Sequence, residues 1–451
     1  MLTFTLIFGI FSFLFISRRT NNSGFFLGYM ENGKEPSLLV LTFSLVTTWI
    51  FSRSLLTAAI LAYYYGLPGA IAYTTYYFSF LTGGLFVLKV RKKFKVNSTL
   101  KLFENEYGYL GKFTVSFLLV IRLISEIFAN LIVVGLIFGN EGSMEYNFSI
   151  ILIMLISLSY SFIGGFRNSI KTDFFQMIIF LILMFLLISN IYFSDLKIEI
   201  NTLINNINNT SNPGYALIAV AFLQIWSYPL HDPVMTDRGF FCSYKKTKQG
   251  FFYAFLLSSA CIFSFSLLGI FLSEASISNI SFFNAIGINL GKNISFIVFL
   301  LLLISAISTL DSTLSSASKL IVSDLNLLKK NIFNGRLVMF LFSILGLLFI
   351  IFNTKDLFTA VAISGTAATF MTTTFILKVI FNISVSRISY FISFLLSMLG
   401  SIVYYLESQG INNSFSSLFE LSHKYVTLLL INIFILFFSF LTAFLVKNKS
   451  L

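Results

Sequence analysis

The feature that most limits what this chain can become is the recurrence of long, uninterrupted apolar runs. A helix needs about 20 apolar residues to cross a hydrocarbon core of about 30 Å. Thirteen runs of this kind can be marked, at 2–17, 37–65, 69–90, 113–138, 148–163, 172–193, 215–234, 250–272, 294–322, 337–352, 357–380, 388–406 and 425–445. They are referred to as spans 1 to 13. The connections between them are short and leave no room for a soluble catalytic domain. Barrel strands are excluded because they alternate over about ten residues, whereas these runs are continuous. With 57% apolar and only 11% charged residues, a soluble fold is excluded too. The expected fold is therefore an all-α polytopic membrane protein.

Span 1 reads as a retained anchor, because Arg18 and Arg19 follow the apolar run and no small-residue cleavage site appears. Thirteen crossings divide the remaining basic residues between two sets of loops. One set holds 23, among them Arg18, Lys89 to Lys95, Arg167, Lys171, Arg238, Lys245, Lys329 and Lys447; the other holds Lys197, Lys292, Lys355 and Lys424. The positive-inside rule makes the first set cytoplasmic, with the N-terminus outside, the C-terminus inside and the chain in the plasma or inner membrane. The same asymmetry accounts for the net charge of +12 without nucleic acid, since lysines at these positions face anionic lipid headgroups. Cys242, Cys261, His231 and His423 are far apart and signal neither a disulfide nor a metal cluster.

Two spans break the rules of membrane helices. Pro229 and Pro233 fall with Tyr228, His231 and Asp232 in span 7, so its backbone should unwind there. Span 2 carries Thr47, Thr48, Trp49, Ile50, Phe51, Ser52, Arg53 and Ser54 near mid-membrane. An arginine at that depth costs about 2.5–3.5 kcal/mol unless paired or wet. The only two tryptophans, Trp49 and Trp226, lie in these interrupted spans. Span 7 follows span 2 by five crossings, so the two enter from opposite sides, as an inverted five-helix repeat requires.

Span 9 carries a hydroxyl stripe. At 100° per residue Ser305, Ser308, Thr309, Ser312 and Ser316 fall within an arc of about 100°. Hydroxyls and the freed carbonyls of a broken helix are suitable oxygen ligands for a hard cation. The alternative is that these hydroxyls bond back to carbonyls one turn earlier. Two buried acids stand nearby in sequence pattern. Asp173 opens span 6 as a cation ligand, a protonation site or a helix cap. Asp311 lies beside the stripe, as a ligand or as the partner of Lys319. Arg122 and Glu126, one turn apart in span 4, read as a mutually neutralising pair. His231 beside Asp232 reads as a proton relay or as a hydrated residue near the span end.

Three segments together resemble the sodium:solute symporter family. They are Gly164-Gly165-Phe166-Arg167 followed by Thr172-Asp173 and Gln176; Ser308-Thr309-Leu310-Asp311-Ser312; and Asp232 to Arg238 with Lys245, where Asp237 stands in place of the usual Gln. The resemblance implies a LeuT-like core of ten helices built as two inverted five-helix repeats, 37–193 and 213–380. An extra helix and loop precede it in 1–36 and two peripheral helices follow in 381–451. It also implies sodium held by backbone oxygens of Thr47, Ile50 and Ser305 and the hydroxyls of Ser308 and Thr309. A second sodium would involve Asp173, Ser308, Asp311 and Ser312, although Asp311 replaces a hydroxyl residue. The solute would meet Arg53, Ser54, Asn130, Gln224, Ser227 and Tyr228. Thr48-Trp49 and Tyr64-x-Gly66 resemble the urea-type carriers, from which Arg53 departs; its guanidinium suits a carboxylate, and Glu126 competes for it.

The function these features imply is sodium-coupled import of a small polar solute, an amino acid, carboxylate, urea or similar, by alternating access. No enzyme is implied and no cofactor beyond sodium as coupling ion. A proton-coupled carrier using Asp173, Asp311 or His231 is the nearest alternative, and a membrane sensor of the same fold a more distant one.

Overall fold

The computed structural model describes Gly9 and residues 20–193, 209–275, 282–350 and 357–446. Span 1 apart from Gly9, most of the 194–213 connection, and Arg18, Arg19, Lys197, Lys355, Lys447 and Lys449 lie outside the described residues. Among those described, the secondary structure is helical throughout.

A short helix α1 (Asn22–Leu27), capped by the Asn21 side chain, leads to α2 (Leu38–Trp49). This helix stops at Ile50, and a new helix, α3 (Ser52–Thr75), begins after Phe51 in extended conformation. Span 2 is thus two helices that meet in the middle. A second redirection occurs at Gly66, whose φ of 61° and ψ of −144° suit only glycine, two residues before Pro68. Then come α4 (Ser79–Lys89), α5 (Thr99–Tyr107) and α6 (Tyr109–Phe138).

Spans 5 and 6 correct the expectation of two helices joined by a loop. They are two helices that meet directly at Gly165, where φ is 55° and ψ is −138°, with no loop between them; the pair, Met144–Phe193, is labelled α7. A single residue in this glycine-only region redirects the helix without freeing a loop's worth of backbone groups. Phe25 packs against the bend, and Arg167 and Lys171 stand on helix. Asp173 is consequently two turns into the second limb.

Span 7 breaks where its prolines require. After α8 (Pro213–Gln224) the chain makes a 3-10 turn over Tyr228–His231, and Asp232 then caps α9 (Pro233–Phe240) by accepting from Met235 N–H. The remaining α-helices among the described residues are α10 (Tyr244–Ala275), α11 (Phe282–Asn289), α12 (Gly291–Ser318), α13 (Ile332–Ile350), α14 (Leu357–Ala368), α15 (Phe370–Thr373), α16 (Arg387–Ser408), α17 (Ser414–Leu418) and α18 (Lys424–Leu445). Here α10 lies along α3, α12 lies against α7 and α6, and α16 pairs with α18. From Leu300 to Leu320 every side chain of the α12 segment is buried, so this helix occupies the centre of the bundle. Phenylalanines and leucines on α13, α16 and α18 point outwards, as a surface facing hydrocarbon should.

Candidate functional site

The break between α2 and α3 leaves carbonyls that no helix satisfies. Side chains from elsewhere take them: Tyr77 donates to Trp49 O at 3.0 Å, and the Ser305 hydroxyl of α12 donates to Ile50 O. The break therefore touches the hydroxyl stripe. Of the five residues expected to hold sodium, Thr309 donates to Ser305 O at 2.9 Å, Thr47 donates to Phe43 O at 2.6 Å and Asp173 O at 3.2 Å, and Ser308 donates to Asp173 Oδ1 at 2.8 Å. All five are buried together at one junction of α2, α7 and α12. Oxygens of this kind suit a hard cation. An ion seated among them would displace the Ser305–Ile50 and Thr309–Ser305 hydrogen bonds, each worth about 0.5–1.5 kcal/mol net.

Immediately beside this junction lies a cluster of two carboxylates and one guanidinium. Asp173 accepts from Ser44 at 2.6 Å, from Ser308 at 2.8 Å and from Arg238 Nη2 at 3.0 Å. Asp311 accepts from Ser169 at 3.0 Å, Thr172 at 2.9 Å and Ser312 at 3.0 Å. Arg238 also donates to Ser44, Ser312 and Ser169, and so reaches Asp311 through hydroxyls. Three expectations are corrected here. Asp173 does not cap a helix, because its position in the second limb of α7 turns it towards α2 and α12. Lys319 does not pair with Asp311; it is held by Asp237 and Asp324, each at 2.8 Å. Arg238 is no exposed topology signal, being fully buried against Asp173.

The residues expected to meet solute divide into two groups. Arg53, in the first turn of α3, forms an ion pair with Glu126 Oε1 at 2.7 Å, and its backbone N–H donates to Asn130 Oδ1 at 3.3 Å. Ser54 accepts from Tyr73 at 2.9 Å. On the other side of the bundle centre, Gln224 accepts from Tyr76 at 2.9 Å and donates to Thr366 and Asn432, while the Ser227 hydroxyl donates to Gln224 O. Tyr228 joins the groups: its ring lies 5.7 Å from that of Trp49 and 5.1 Å from the Arg122 guanidinium.

Arg122 and Glu126 are more than the self-contained pair expected. Arg122 ion-pairs with Glu126 and also donates to Asp232 Oδ2 at 2.9 Å, which accepts from Trp49 Nε1 at 3.0 Å. The result is a buried ladder, Arg53, Glu126, Arg122, Asp232, with alternating charge and no net charge. It runs from α3 through α6 to the cap of α9 and ties the two helix breaks together. His231, expected as a proton relay or as a hydrated residue near the span end, is buried, which removes the hydrated reading, and lies 3.1 Å from Ser364 through Nε2. Trp49, Ser44 and Ser169 were not singled out as site residues. Trp49 was legible as a partner only through its pairing with Trp226; Ser44 stands one turn before Thr47 and Thr48, which was the available signal.

No family model and no curated protein matches this chain. Solved structures do. A Na+-coupled sialic acid symporter in a substrate-bound outward-open state covers 99% of this chain and 97% of its own, at a TM-score of 0.70 and 15% identity. A nucleobase-cation-symport-1 family transporter, closed around bromovinylhydantoin, covers 95% of this chain and 97% of its own at a TM-score of 0.56 and 12% identity. At these identities the likeness is one of fold, and the chain is an all-α polytopic membrane protein of LeuT-like architecture.

Proposed function

We propose that the chain is a sodium-coupled secondary active symporter that carries a small polar solute inwards by alternating access. One observation carries the reading: the broken α2–α3 junction sets the Ile50 carbonyl against Ser305 of the α12 hydroxyl stripe, so oxygens from two elements converge where the helix ends leave a carbonyl unsatisfied. Sodium is held there by backbone oxygens of Thr47, Ile50 and Ser305 and hydroxyls of Ser308 and Thr309. The repeats 37–193 and 213–380 rock about this junction, with 1–36 and 381–451 peripheral, the N-terminus outside and the C-terminus cytoplasmic. Sodium favours one state only by binding it more tightly, since a ligand of equal affinity for both shifts nothing. The double variant Ser308→Ala, Thr309→Ala is expected to abolish sodium-driven uptake in proteoliposomes while the protein stays folded. Unchanged sodium dependence would remove the assignment.

A second reading rests on the Asp173, Asp311 and Arg238 cluster, where two carboxylates face one guanidinium. A further cation completes its charge, either a second sodium at Asp173, Asp311 and Ser312 or a proton on one carboxylate. Uptake driven by a pH gradient in sodium-free buffer favours the proton.

A further inference from the structure

The end of α4 gathers positive charge that no carboxylate answers. The helix closes on a π-helical turn, Val90–Phe94, and stops at Lys95, whose φ of 57° is left-handed. Lys89, Arg91, Lys92 and Lys95 stand on this short stretch, and among the described residues none of them forms an ion pair. Cations at a helix C-terminus are ordinary, because they complement the dipole. That dipole is worth about half a negative charge, however, and so answers only a fraction of one of them.

Three of these cations belong to a cleft. Arg91, Lys92, Lys95 and Asn97 line, with Tyr244 at the start of α10, a cavity of about 630 Å³, inside the range of about 300–1,000 Å³ found for small-ligand sites. Arg91 is fixed there, since its Nη1 donates to Gly239 O at 3.0 Å, Cys242 O at 2.6 Å and Thr247 Oγ1 at 3.3 Å. Lys92, Lys95 and Tyr244 are exposed. A cleft lined by one sign of charge concentrates the opposite charge.

The cleft continues into a surface that faces hydrocarbon. At about 100° per residue, Lys92 shares a face of α4 with Leu81 and Leu85, and Tyr244 shares a face of α10 with Phe252 and Phe255. Leu81, Leu85 and Phe252 are exposed. Phe251 packs on Gly84, and Phe78 meets Phe255 edge-on at 4.8 Å, so α4 and α10 share one seam along these faces. A soluble anion would use the cleft alone and a neutral lipid the seam alone. A molecule with an anionic head and an apolar tail uses both.

We infer that this is a discrete site for an anionic phospholipid, its headgroup phosphate among Arg91, Lys92 and Lys95 and an acyl chain along Leu81, Leu85 and Phe252. The general pull of a basic protein face on anionic headgroups depends on how many charges it carries; a site depends on which ones. The inference is independent of the solute and of the coupling ion.

The test titrates the purified full-length protein in detergent with phosphatidylglycerol, phosphatidylcholine and glycerol phosphate, reading thermal unfolding. Phosphatidylglycerol is expected to stabilise it saturably, phosphatidylcholine much less, and glycerol phosphate, the head without its chains, not at all. Lys92→Gln with Lys95→Asn should weaken phosphatidylglycerol by about 30-fold, the loss expected for two lysines at a lipid surface. Lys329→Gln with Lys330→Gln removes the same charge from another basic loop and should leave that affinity unchanged. All four lysines are exposed, so both double variants are expected to fold. Equal losses in the two double variants would reduce the site to diffuse attraction and overturn the inference. Phosphatidylcholine as effective as phosphatidylglycerol would overturn it too, as would glycerol phosphate as effective as the lipid, which would make the cleft a site for free phosphate.

Discussion

Arg238 shows how much of the site depends on one side chain. It answers Asp173 directly and Asp311 through Ser169 and Ser312. Arg238→Met is predicted to destabilise the protein by about 3–5 kcal/mol, because two carboxylates are left buried without a counter-charge. Adding Asp311→Asn should recover part of that loss by removing one of them. Thermal unfolding of the single and double variants measures this, and equal losses in both would refute the coupling. Ser308, Thr309, Asp173 and Asp311 were legible in the sequence because hydroxyls and acids at membrane depth are anomalies in themselves. Arg238 was not, since a basic residue beyond a span edge is also the ordinary sign of topology. Only the tertiary contact of α9 with α2 and α7 tells the two apart.

Among the elements, α7 depends on Gly165 and α18 on His423. A Cβ at Gly165 would lie 2.6 Å from Phe25 O, in a backbone conformation that side chains avoid. Gly165→Ala is predicted to lower stability by at least about 1–3 kcal/mol from backbone strain alone, measurable as a reduced Tm in detergent. His423 caps α18, its Nδ1 accepting from Tyr425 N–H at 3.2 Å. Burial, and then the neighbouring Lys424 charge, lowers its pKa from 6.5. The unfolded chain thus takes up the proton first, so the cap's contribution is present above pH 6.5 and lost as pH falls below it. The expected loss is on the scale of an N-cap, about 1 kcal/mol; His423→Ala should lower Tm at neutral pH and flatten its decline between pH 7 and 5. The breaks in spans 2 and 7 could be read from Thr, Ser and Pro in apolar surroundings. The one-residue turn between spans 5 and 6 could not, because Gly-Gly followed by polar residues looks the same whether one residue or eight leave the helix.

At the scale of the molecule, the long apolar helices among the described residues followed from hydropathy and length, whereas the arrangement of helices followed from contacts that hydropathy does not encode. Lys319 is an example: it joins Asp237 of α9 to Asp324 beyond α12. Motion of α9 against α12 has to break that clasp. Lys319→Met is therefore predicted to raise the rate of thiol labelling at buried Cys242, just beyond α9, in a Cys261→Ser background; an unchanged rate would mean that this end moves independently of the clasp. The ladder from Arg53 to Asp232 has a different consequence, one that plays out over generations. Each of its members is tolerable only in the company of the others, so a descendant relieved of its cargo has no gradual way to shed them. The four positions should turn oily within a short interval or persist as a set, and a relative that retains a solitary member should be scarce among living sequences.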